Sequence, residues 1–435
     1  MDEAYMQNSE SLREVLLDLF RTGVAAAAPG PALAGVLEHQ APSVDAGRVW
    51  IVALGKAARP MAETAVAHLA GLGLTPAGGV AVVPAPDDSP VAGLTTVAGD
   101  HPFPGPGSMA AAEAIGEMAG RVGAGDEVWV LLSGGATSLA AAPVAGLAAE
   151  DLQGLYRSLL SSGLDIAQMN TVRKRFSRWG AGRLAVALQP ARVRTFIVSD
   201  VIGDDLAAIG SGPCVPDPLS AAEVMALLEA NGLDRVAPPA ALNYLRRSDP
   251  SLETPKPGHP AFRSTECHIV AGNRPSLEAI ARRAEELGWQ TKVLPEPLSG
   301  EAADAGRDLA LSLLEQPPGT CLVAGGETVV RVDPGNTGLG GRSQELALAA
   351  AGVLAGSSSV LLAAGTDGRD GPTDAAGAVV DGTTWDRIKS AGREPSEDLT
   401  GHNSNPSLAA AGALVVTGLT GTNVMDVAIG VVPRT

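Results

Sequence analysis

This chain of 435 residues has few aromatic side chains and little charge. Phe, Trp and Tyr make up 3% of it and charged residues 18%, whereas hydrophobic residues make up 45%. The interior must therefore be built from Ala, Val, Leu and Ile, a composition typical of parallel strands covered by helices. The apolar fraction excludes a largely disordered chain. The length exceeds what one ordinary core accommodates and predicts two domains.

Cysteine and long apolar runs are also scarce. Cys214, Cys267 and Cys321 are far apart and odd in number, so they make neither a disulfide framework nor a zinc spacing. The N-terminus lacks the basic flank and apolar segment of a signal peptide. No apolar run approaches the ~18 residues that a membrane span needs. We therefore expect a cytoplasmic protein that does not bind membranes.

Positive charge is in deficit, because 31 Lys and Arg residues face 48 Asp and Glu residues for a net charge of −17. An acidic protein repels nucleic acid and anionic membranes, which excludes both as expected partners. Lysine in particular is rare, so a lysine in a loop after a buried strand stands out. An anionic small substrate would need a locally basic pocket.

Strand-like and helix-like segments alternate along most of the chain. This alternation predicts a parallel sheet with helices on both faces. The expected strands lie at 48–54, 79–83, 127–132 and 194–198, and the expected helices at 57–72, 108–121 (with Ser108 as N-cap) and 150–161.

The proline-rich stretch 237–262 indicates an interdomain connection. We predict domains at 1–245 and 263–435, joined by a linker at 246–262. The alternation resumes in the second domain, where Gly325-Gly326-Glu327 predicts a hairpin between strands at 320–324 and 328–332.

The stretch 365–377 is the most informative part of the sequence. It places Asp367, Asp370 and Asp374 among four glycines, directly after an apolar run at 360–364. Carboxylates at this spacing can converge on a cation or orient a hydroxyl group. The alternative interpretation is a polar turn between two strands.

Two loops follow predicted parallel strands of the first domain, where open α/β sheets bind ligands. Lys56 follows strand 49–54 and would be a cation near a helix N-terminus, suited to an anion. The second loop could cradle phosphate oxygens with backbone N–H groups and hydroxyls; its candidate residues are Ser133, Gly134, Gly135, Thr137 and Ser138. A solvated lysine and a simple tight turn are the alternatives.

Two further segments of the first domain carry charge at informative places. Asp200 ends a buried strand beside a glycine turn and, with Asp204, is a candidate Mg²⁺ ligand. These aspartates could instead cap a helix. Lys174, in the basic segment 170–175, could attract polyphosphate or lie on a solvated helix face.

In the second domain, paired glycines precede charged residues twice, at Gly325-Gly326-Glu327 and at 340–345. Arg342 would open a helix, where a cation is unfavourable for the helix dipole. A substrate carboxylate or phosphate could compensate by accepting two hydrogen bonds from the guanidinium. The alternative is an ion pair with Glu327 or Glu345.

Taken together and in this order, these motifs resemble those of MOFRL-type D-glycerate 2-kinases, whose relatives often carry the name hydroxypyruvate reductase. The resemblance runs from about residue 12 to residue 432. The motifs that carry it lie at 55–58, 99–102, 132–135, 170–174, 199–205, 325–328, 340–345, 365–377 and 420–426.

The resemblance implies a small-molecule kinase that uses ATP and Mg²⁺ (or Mn²⁺) to phosphorylate D-glycerate to 2-phosphoglycerate. It implies a Rossmann-like N-terminal domain and a smaller α/β C-terminal domain with the MOFRL region at about 320–432, and an active site in the cleft between them. The implied residues are Lys56, Arg342 and Asp367 for catalysis; Ser133, Gly134, Gly135, Thr137, Ser138, Lys174, Gly325, Gly326 and Glu327 for the nucleotide; and Asp200, Asp204 and Asp370 for the metal.

Two other function classes stay open at this point. An NAD(P)H-dependent hydroxypyruvate reductase should show a glycine fingerprint after the first strand, where this chain has Gly55-Lys56-Ala57-Ala58. A non-catalytic sensor of sugar acids or nucleotides would not need the metal carboxylates. Departures from the family pattern at 136–138, 343 and 402–406 leave acceptor specificity open, and the sequence also leaves open whether the chain forms a homodimer.

The first testable prediction concerns Lys56. Lys56→Ala should leave the fold intact, because a lysine in a turn contributes little packing. Activity should fall by at least ~10²-fold, the scale of losing one donor to the transition state. Steady-state kinetics on the folded variant check this, and near-normal turnover would remove Lys56 from the mechanism.

Overall fold

The computed structural model describes residues 3–40, 47–84, 90–164, 166–247, 249–332, 335 and 338–434. Its strands are β1 (Val49–Leu54), β2 (Gly78–Val83), β3 (Thr95–Ala98), β4 (Glu127–Leu132), β5 (Arg192–Val198), β6 (Thr265–Ala271), β7 (Gln290–Val293), β8 (Thr320–Gly326), β9 (Val360–Gly365), β10 (Gly377–Asp381), β11 (Leu414–Val415) and β12 (Asp426–Val431). Its α-helices are α1 (Glu3–Ala26), α2 (Pro29–Leu37), α3 (Ala58–Gly71), α4 (Pro106–Ala119), α5 (Ala136–Leu139), α6 (Ala149–Leu160), α7 (Ile166–Phe176), α8 (Arg183–Ala187), α9 (Ala221–Ala230), α10 (Pro239–Arg246), α11 (Asn273–Glu286), α12 (Ala302–Leu314), α13 (Arg342–Leu354), α14 (Thr384–Ser390), α15 (Pro395–Thr400) and α16 (Ser404–Ala410). Short 3₁₀ helices lie at Ile202–Asp204, Ile209–Ser211, Leu233–Arg235, Pro250–Leu252 and Pro260–Ser264.

The chain forms two compact units, and their boundaries differ from the predicted domains. A central unit spans residues 29–270, and a terminal unit combines the chain up to Ala28 with the chain from Ala271 onward. The predicted linker 246–262 therefore lies within the central unit, where the backbone N–H of Asp217 donates to the carbonyl of Pro255 at 3.0 Å. Proline content alone indicated a linker, but these prolines shape turns that pack on the unit.

The central unit is built on a doubly wound sheet with the order β3-β2-β1-β4-β5-β6, which is the strand order of Rossmann folds. The pairs β1–β2, β2–β3, β1–β4 and β4–β5 are parallel, as predicted. Strands β1 and β4 are buried at every position. Leu54 pairs with Leu132, so the loops that follow these two strands begin side by side.

Helix α4 begins two residues earlier than predicted. Pro106 opens it, a position where the missing N–H of proline costs nothing. Ser108 is thus the third helical residue and not the N-cap. The Asp100 carboxylate accepts from the backbone N–H of Ser108 at 3.1 Å, and the Ser108 hydroxyl accepts from the backbone N–H of Gly105 at 3.4 Å. The start of the helix is therefore satisfied by the preceding turn.

A buried ion cluster lies among the helices of the central unit. The Lys174 ammonium is 3.0 Å from the Asp217 carboxylate, and both side chains are less than a tenth exposed. The Arg175 guanidinium contacts both Asp217 and Glu253. Asp217 also accepts from the Thr254 hydroxyl at 3.0 Å. Lys174 therefore does not lie on a solvated helix face, because its ammonium is buried against Asp217. A contact of Lys174 with a nucleotide stays a prediction.

The terminal unit is built on a mixed sheet with the order β11-β10-β9-β12-β8-β7. β7 and β8 are parallel, while β12 pairs antiparallel with both β8 and β9. The predicted hairpin around Gly325-Gly326-Glu327 is wrong, because the neighbours of β8 are β12 and β7 and residues 328–332 form no strand. β8 therefore pairs with β12, which is distant in the chain, and not with the segment that directly follows it.

Both faces of this sheet are covered. Leu322 and Ala324 point into a core with α12 and α13, whereas Cys321 and Val323 point into a core with α1 and α11. This alternation follows from the two-residue repeat of a strand. Two-sided burial explains why the strands read as continuous apolar runs in the sequence.

Helix α1 joins the terminal unit although it precedes the central unit in the chain. Leu16, Leu19 and Phe20 are buried against Leu277 and Ile280 of α11. A stripe of large apolar residues at helical spacing needs a partner, and this sheet face provides one. Neither α1 nor any other helix in the described ranges has the length and apolarity to cross a lipid bilayer.

The ion cluster generates a stability prediction. Asp217→Ala removes the carboxylate that faces both Lys174 and Arg175 and leaves two buried cations undercompensated. We expect the free energy of unfolding of the central unit to fall by about 3–5 kcal/mol, the cost of breaking a buried pair. Urea denaturation followed by intrinsic fluorescence measures this.

The matched control is Glu63→Ala, which removes the exposed partner of Arg59 in the same unit. An exposed pair four residues apart on a helix contributes at most about 0.5 kcal/mol. Equal destabilisation by the two variants would contradict a structural role for the cluster.

Candidate functional site

The predicted site residues fall into two groups, one in each unit. In the central unit, Lys56, Gly134 and Asp200 follow strands β1, β4 and β5 at their carboxyl ends. β1 and β4 are the neighbours at which the strand order of the sheet reverses. This is the position at which open α/β sheets bind ligands. The side-by-side ends of β1 and β4 therefore create the first candidate site.

The loops after β1 and β4 are held together by hydrogen bonds. The backbone N–H of Lys56 donates to the carbonyl of Gly134 at 2.9 Å. The buried Ser133 hydroxyl accepts from the backbone N–H of Ala57 at 2.9 Å. The side chain of Lys56 is exposed. Ser133 thus shapes the start of α3, and this leaves the Lys56 ammonium available to an anion.

Asp200 lies against the glycine loop. A Cβ atom at Gly134 would overlap the Asp200 carboxylate, so any other residue here would force Asp200 or the loop to move. Burial raises the pKa of the Asp200 carboxyl, and the charge of Lys56 partly opposes this rise. The two predicted residues therefore share one environment, with a cation and a carboxylate close together at the ends of three strands.

His101, which the sequence places in a turn that could line the cleft, is also a member of this group. The Cβ position of Gly135 is 3.3 Å from the His101 ring and 3.3 Å from Cγ of Lys56. Burial and the Lys56 charge lower the pKa of His101, which favours a neutral imidazole. The position of His101 before a proline in the motif 99–102 was the available signal, but its neighbour Lys56 is 45 residues away in the chain.

The other predicted residues of the central unit have partners within the fold. The Thr137 hydroxyl is 2.9 Å from the Ser211 hydroxyl, and the Ser138 hydroxyl donates to the carbonyl of Pro102 at 2.8 Å. Asp204 lies in a 3₁₀ turn, and its backbone N–H donates to the carbonyl of Val201. Thr137 and Ser138 therefore anchor neighbouring turns of the glycine loop, and a nucleotide contact of either stays a prediction.

In the terminal unit, the Arg342 guanidinium is held by two carboxylates. Its Nε and Nη2 atoms donate to the two oxygens of Asp426 at 2.5 and 3.1 Å. Its Nη1 atom is 2.7 Å from Oε1 of Glu327. The ion pair with Glu327 that the sequence left open is therefore present, and Asp426 is a stronger partner that sequence reasoning missed.

These contacts shift the pKa values of both partners. Burial disfavours the charged guanidinium, but the carboxylates of Asp426 and Glu327 outweigh it and raise the pKa of Arg342. Burial raises the pKa of Asp426 as well, with Arg342 opposing the rise and the Asp367 charge adding to it. The pair is therefore a partly buried, charge-assisted contact and not a loose surface contact.

Asp370 satisfies the start of helix α13. Its two carboxylate oxygens accept from the backbone N–H groups of Ser343 at 3.2 Å and Gln344 at 2.8 Å. Burial raises the pKa of Asp370 to about 6 despite these donors. A carboxylate at this place stabilises the positive end of the helix. Asp370 thus has a structural task at the start of α13, and a metal contact of its oxygens stays a prediction.

Asp367, the predicted proton acceptor, lies in the turn that follows β9. It is half-buried, and its Oδ1 atom accepts from the backbone N–H of Arg369 at 3.0 Å. Its carbonyl accepts from the backbone N–H of Thr420 at 3.1 Å. The 365–377 stretch does connect two antiparallel strands, β9 and β10, as the turn interpretation held. The Asp367 carboxylate is held within the turn, whereas the Asp370 carboxylate is held by the distant start of α13.

Gly325 and Gly326, predicted to bind the nucleotide, end strand β8. A Cβ atom at Gly325 would overlap the side chain of Asn273, and one at Gly326 would overlap the backbone of Leu298. The Asn273 amide in turn donates to the carbonyl of Asp426 at 3.0 Å. These glycines allow the close packing that fixes Asp426, and a role in binding the nucleotide stays a prediction.

The segment 402–405, where the sequence departs from the family pattern, supports the loop that precedes Arg342. Asn403 accepts from the backbone N–H of Leu339 at 3.1 Å, and the backbone N–H of Asn405 donates to the Leu339 carbonyl at 2.9 Å. The His402 ring is 3.0 Å from Glu345, whose pKa is raised by burial. Glu345 therefore faces His402, which decides against it as the ion-pair partner of Arg342.

The donor set does not form a self-sufficient metal centre. Within the described ranges, no group of three or more His, Cys, Asp and Glu side chains could hold a metal ion. The predicted ligands Asp200, Asp204 and Asp370 thus provide no cage between them. Mg²⁺ commonly binds through one or two carboxylates together with substrate phosphates. The residues fit a metal that arrives with a nucleotide, and Asp200 beside Lys56 is the carboxylate that best suits it.

Comparison with known proteins accounts for most of the chain. Residues 15–246 match the family described as "Domain of unknown function (DUF4147)", and residues 320–426 match the MOFRL family. The D-glycerate 2-kinase of Thermotoga maritima is 36% identical over 98% of this chain and 100% of its own length. A protein of Agrobacterium vitis that carries a hydroxypyruvate reductase name is 36% identical over 97% of this chain and 94% of its own.

A solved structure extends this likeness to three dimensions. The crystal structure of the glycerate kinase from Thermotoga maritima superposes with a TM-score of 0.87 at 34% identity, covering 97% of this chain and all of that one. The match includes both the doubly wound sheet and the mixed sheet, because it spans nearly the full length. The chain therefore belongs to the MOFRL family of glycerate kinases.

Proposed function

We propose that this protein transfers the γ-phosphoryl group of ATP to the 2-hydroxyl of D-glycerate. The observation that carries the proposal is the position of Lys56 at the strand-order reversal, beside Asp200 and the glycine loop, in a chain whose relatives are named as glycerate 2-kinases. A cation and a carboxylate at this position suit a phosphate and the metal that accompanies it.

The site supports a kinase over the reductase that one relative's name indicates. The turn after β1 carries Lys56 where a dinucleotide-binding fold carries the glycine fingerprint that contacts the pyrophosphate. The strand order is shared by both classes of enzyme and does not separate them. The lysine chemistry of this turn favours phosphate binding by a point charge.

In the proposed reaction the 2-hydroxyl oxygen attacks the γ-phosphorus, the bond to the β,γ-bridging oxygen breaks, and ADP leaves. Phosphoryl transfer needs positioning and charge neutralisation more than covalent chemistry from the protein. Lys56 and Arg342 donate to the phosphoryl oxygens or the glycerate carboxylate. Asp367 accepts the proton of the hydroxyl group.

A divalent cation fits this proposal as the companion of ATP. When bound, it would neutralise charge on the transferring phosphoryl group. Asp200 would hold it, with Asp204 four residues further along the same turn as the second candidate. Burial raises the pKa of the Asp200 carboxyl, and the Lys56 charge opposes this rise, which favours the ionised form that an oxygen ligand requires.

The deciding experiment measures two activities on the same preparation. A coupled assay follows ADP release with D-glycerate and ATP, and an absorbance assay follows NAD(P)H with hydroxypyruvate. We expect ADP release and a 2-phosphoglycerate product identified by ³¹P and ¹H NMR. NAD(P)H oxidation without ADP release would establish the reductase, and binding without either turnover would establish the sensor.

A chelator tests the metal requirement. Activity should vanish in excess EDTA and return when Mg²⁺ or Mn²⁺ is added beyond the chelator, because the transferring phosphates need a divalent companion. Asp200→Asn should raise the Mg²⁺ concentration needed for half-maximal rate. Full turnover in EDTA would reject the proposed kinase mechanism.

The glycine loop offers a steric test. In Gly134→Ala the new methyl group would overlap the Asp200 carboxylate, so the loop or Asp200 must move. We expect the activity to fall by about tenfold or more, since small misplacements of site groups are costly. Gly71→Ala at the end of α3 is the control, because nothing lies within 4 Å of its Cβ position. Equal activity of the two variants would show that this contact does not position the site.

A further inference from the structure

We propose that Asp426 is a positioning residue that orients the Arg342 guanidinium for substrate. This inference deepens the proposed function and rests on it. Asp426 accepts two hydrogen bonds from one edge of the guanidinium, at 2.5 and 3.1 Å, in a side-on arrangement. Such a paired contact fixes the plane of the guanidinium as well as its place.

Arg342 needs external support because of where it lies. It is the first residue of α13, where the helix dipole disfavours a cation, and it follows the glycine pair 340–341. Holding its long side chain in one geometry costs conformational entropy, because several rotatable bonds become fixed. Without a fixed anchor the guanidinium would sample several directions, so an anchor decides whether it points at a ligand.

Asp426 is itself fixed from several sides. It begins β12, where its backbone pairs with Gly326 of β8 and Gly365 of β9. Its carbonyl accepts from the Asn273 amide at 3.0 Å, and its side chain is only 11% exposed. Because β12 lies between β8 and β9 in the sheet, Asp426 is held in place from both sides. A positioning group requires such support.

Asp426 and Glu327 do not occupy every N–H donor of the Arg342 guanidinium. A guanidinium has five N–H donors, and the contacts to Asp426 and Glu327 occupy one each on Nε, Nη2 and Nη1. The two donors that remain belong to the two terminal nitrogens. A phosphate or carboxylate accepts two such donors side by side. The anchoring thus leaves one donor on each terminal nitrogen for an anionic substrate.

The negative charge of Asp426 favours a positioning role over direct contact with an anionic substrate. Asp426 and Glu327 together outweigh the single charge of Arg342, and Asp367 adds further negative charge near Asp426. Asp426 carries the same sign of charge as an anionic substrate and is therefore not the group that binds it. The proposed effect of Asp426 on the substrate passes through Arg342. Arg342 acts here as an oriented donor and not as a free positive charge.

A double-mutant cycle tests the inference. Asp426→Asn keeps the shape but removes the charge and the second acceptor oxygen. We expect kcat to fall about 10- to 100-fold, the scale of a misplaced site group, with KM for D-glycerate changing less than threefold. In the Arg342→Lys background, adding Asp426→Asn should change kcat by less than twofold, because the lysine has no fork to orient.

Asp426→Glu provides the conservative variant. It retains both oxygens and the charge at one added methylene, so its kcat should lie between those of wild type and Asp426→Asn. Circular dichroism and the melting temperature show whether Asp426→Asn folds. If it does not, Asp426→Glu takes its place in the double-mutant cycle. Asp381→Asn is the control, since Asp381 is a buried carboxylate of the same unit paired with Arg387, and its kcat should equal that of wild type.

Two results would overturn the positioning role. One is a wild-type kcat in folded Asp426→Asn, and the other is an equal loss from this substitution in the wild-type and Arg342→Lys backgrounds. Failure of the proposed function gives a different result: the wild-type protein itself then shows no D-glycerate-dependent ADP release. In that case the positioning role is rejected as well.

Discussion

Close approach of backbone at the carboxyl ends of parallel strands is the constraint on which the central site depends. Leu54 and Leu132 are paired, so the loops after β1 and β4 must diverge within a space that has no room for side chains at every position. Gly134 allows Asp200 to come against the loop. The exposed Lys56 side chain then has the Asp200 carboxylate and the His101 imidazole for neighbours. A few missing Cβ atoms thus decide where the charged groups lie.

The candidate site in the terminal unit depends instead on compensation of positive charge at the start of a helix. Helix α13 begins with an arginine, and its unpaired N–H groups add further positive potential. Asp370 accepts the N–H groups, while Asp426 and Glu327 accept the guanidinium. Different carboxylates therefore compensate the helix N–H groups and the guanidinium. In the proposed reaction, a donor that is already oriented need not reorganise.

Buried charge in this protein is not confined to functional sites. Lys174 stood out in the sequence because lysine is rare, but its ammonium faces Asp217 inside the helical part of the central unit. Rarity and a basic neighbourhood therefore do not show whether a lysine is exposed. The sequence already indicated that Lys56, unlike Lys174, follows a strand end, but only the fold shows that Lys56 is exposed and Lys174 is buried.

The sequence by itself determined the parallel strands of the central unit, the helix that begins at Arg342 and the loops that carry Lys56 and Asp200. Those features depend on local periodicity and on turn residues, which neighbouring positions reveal. The tertiary structure alone decided the antiparallel place of β12 between β8 and β9, the partnership of Arg342 with Asp426, and the capping role of Asp370. It also assigned α1 to the terminal unit. Each of these joins residues far apart in the chain, and such pairings are chosen by packing and charge compensation that no local pattern contains.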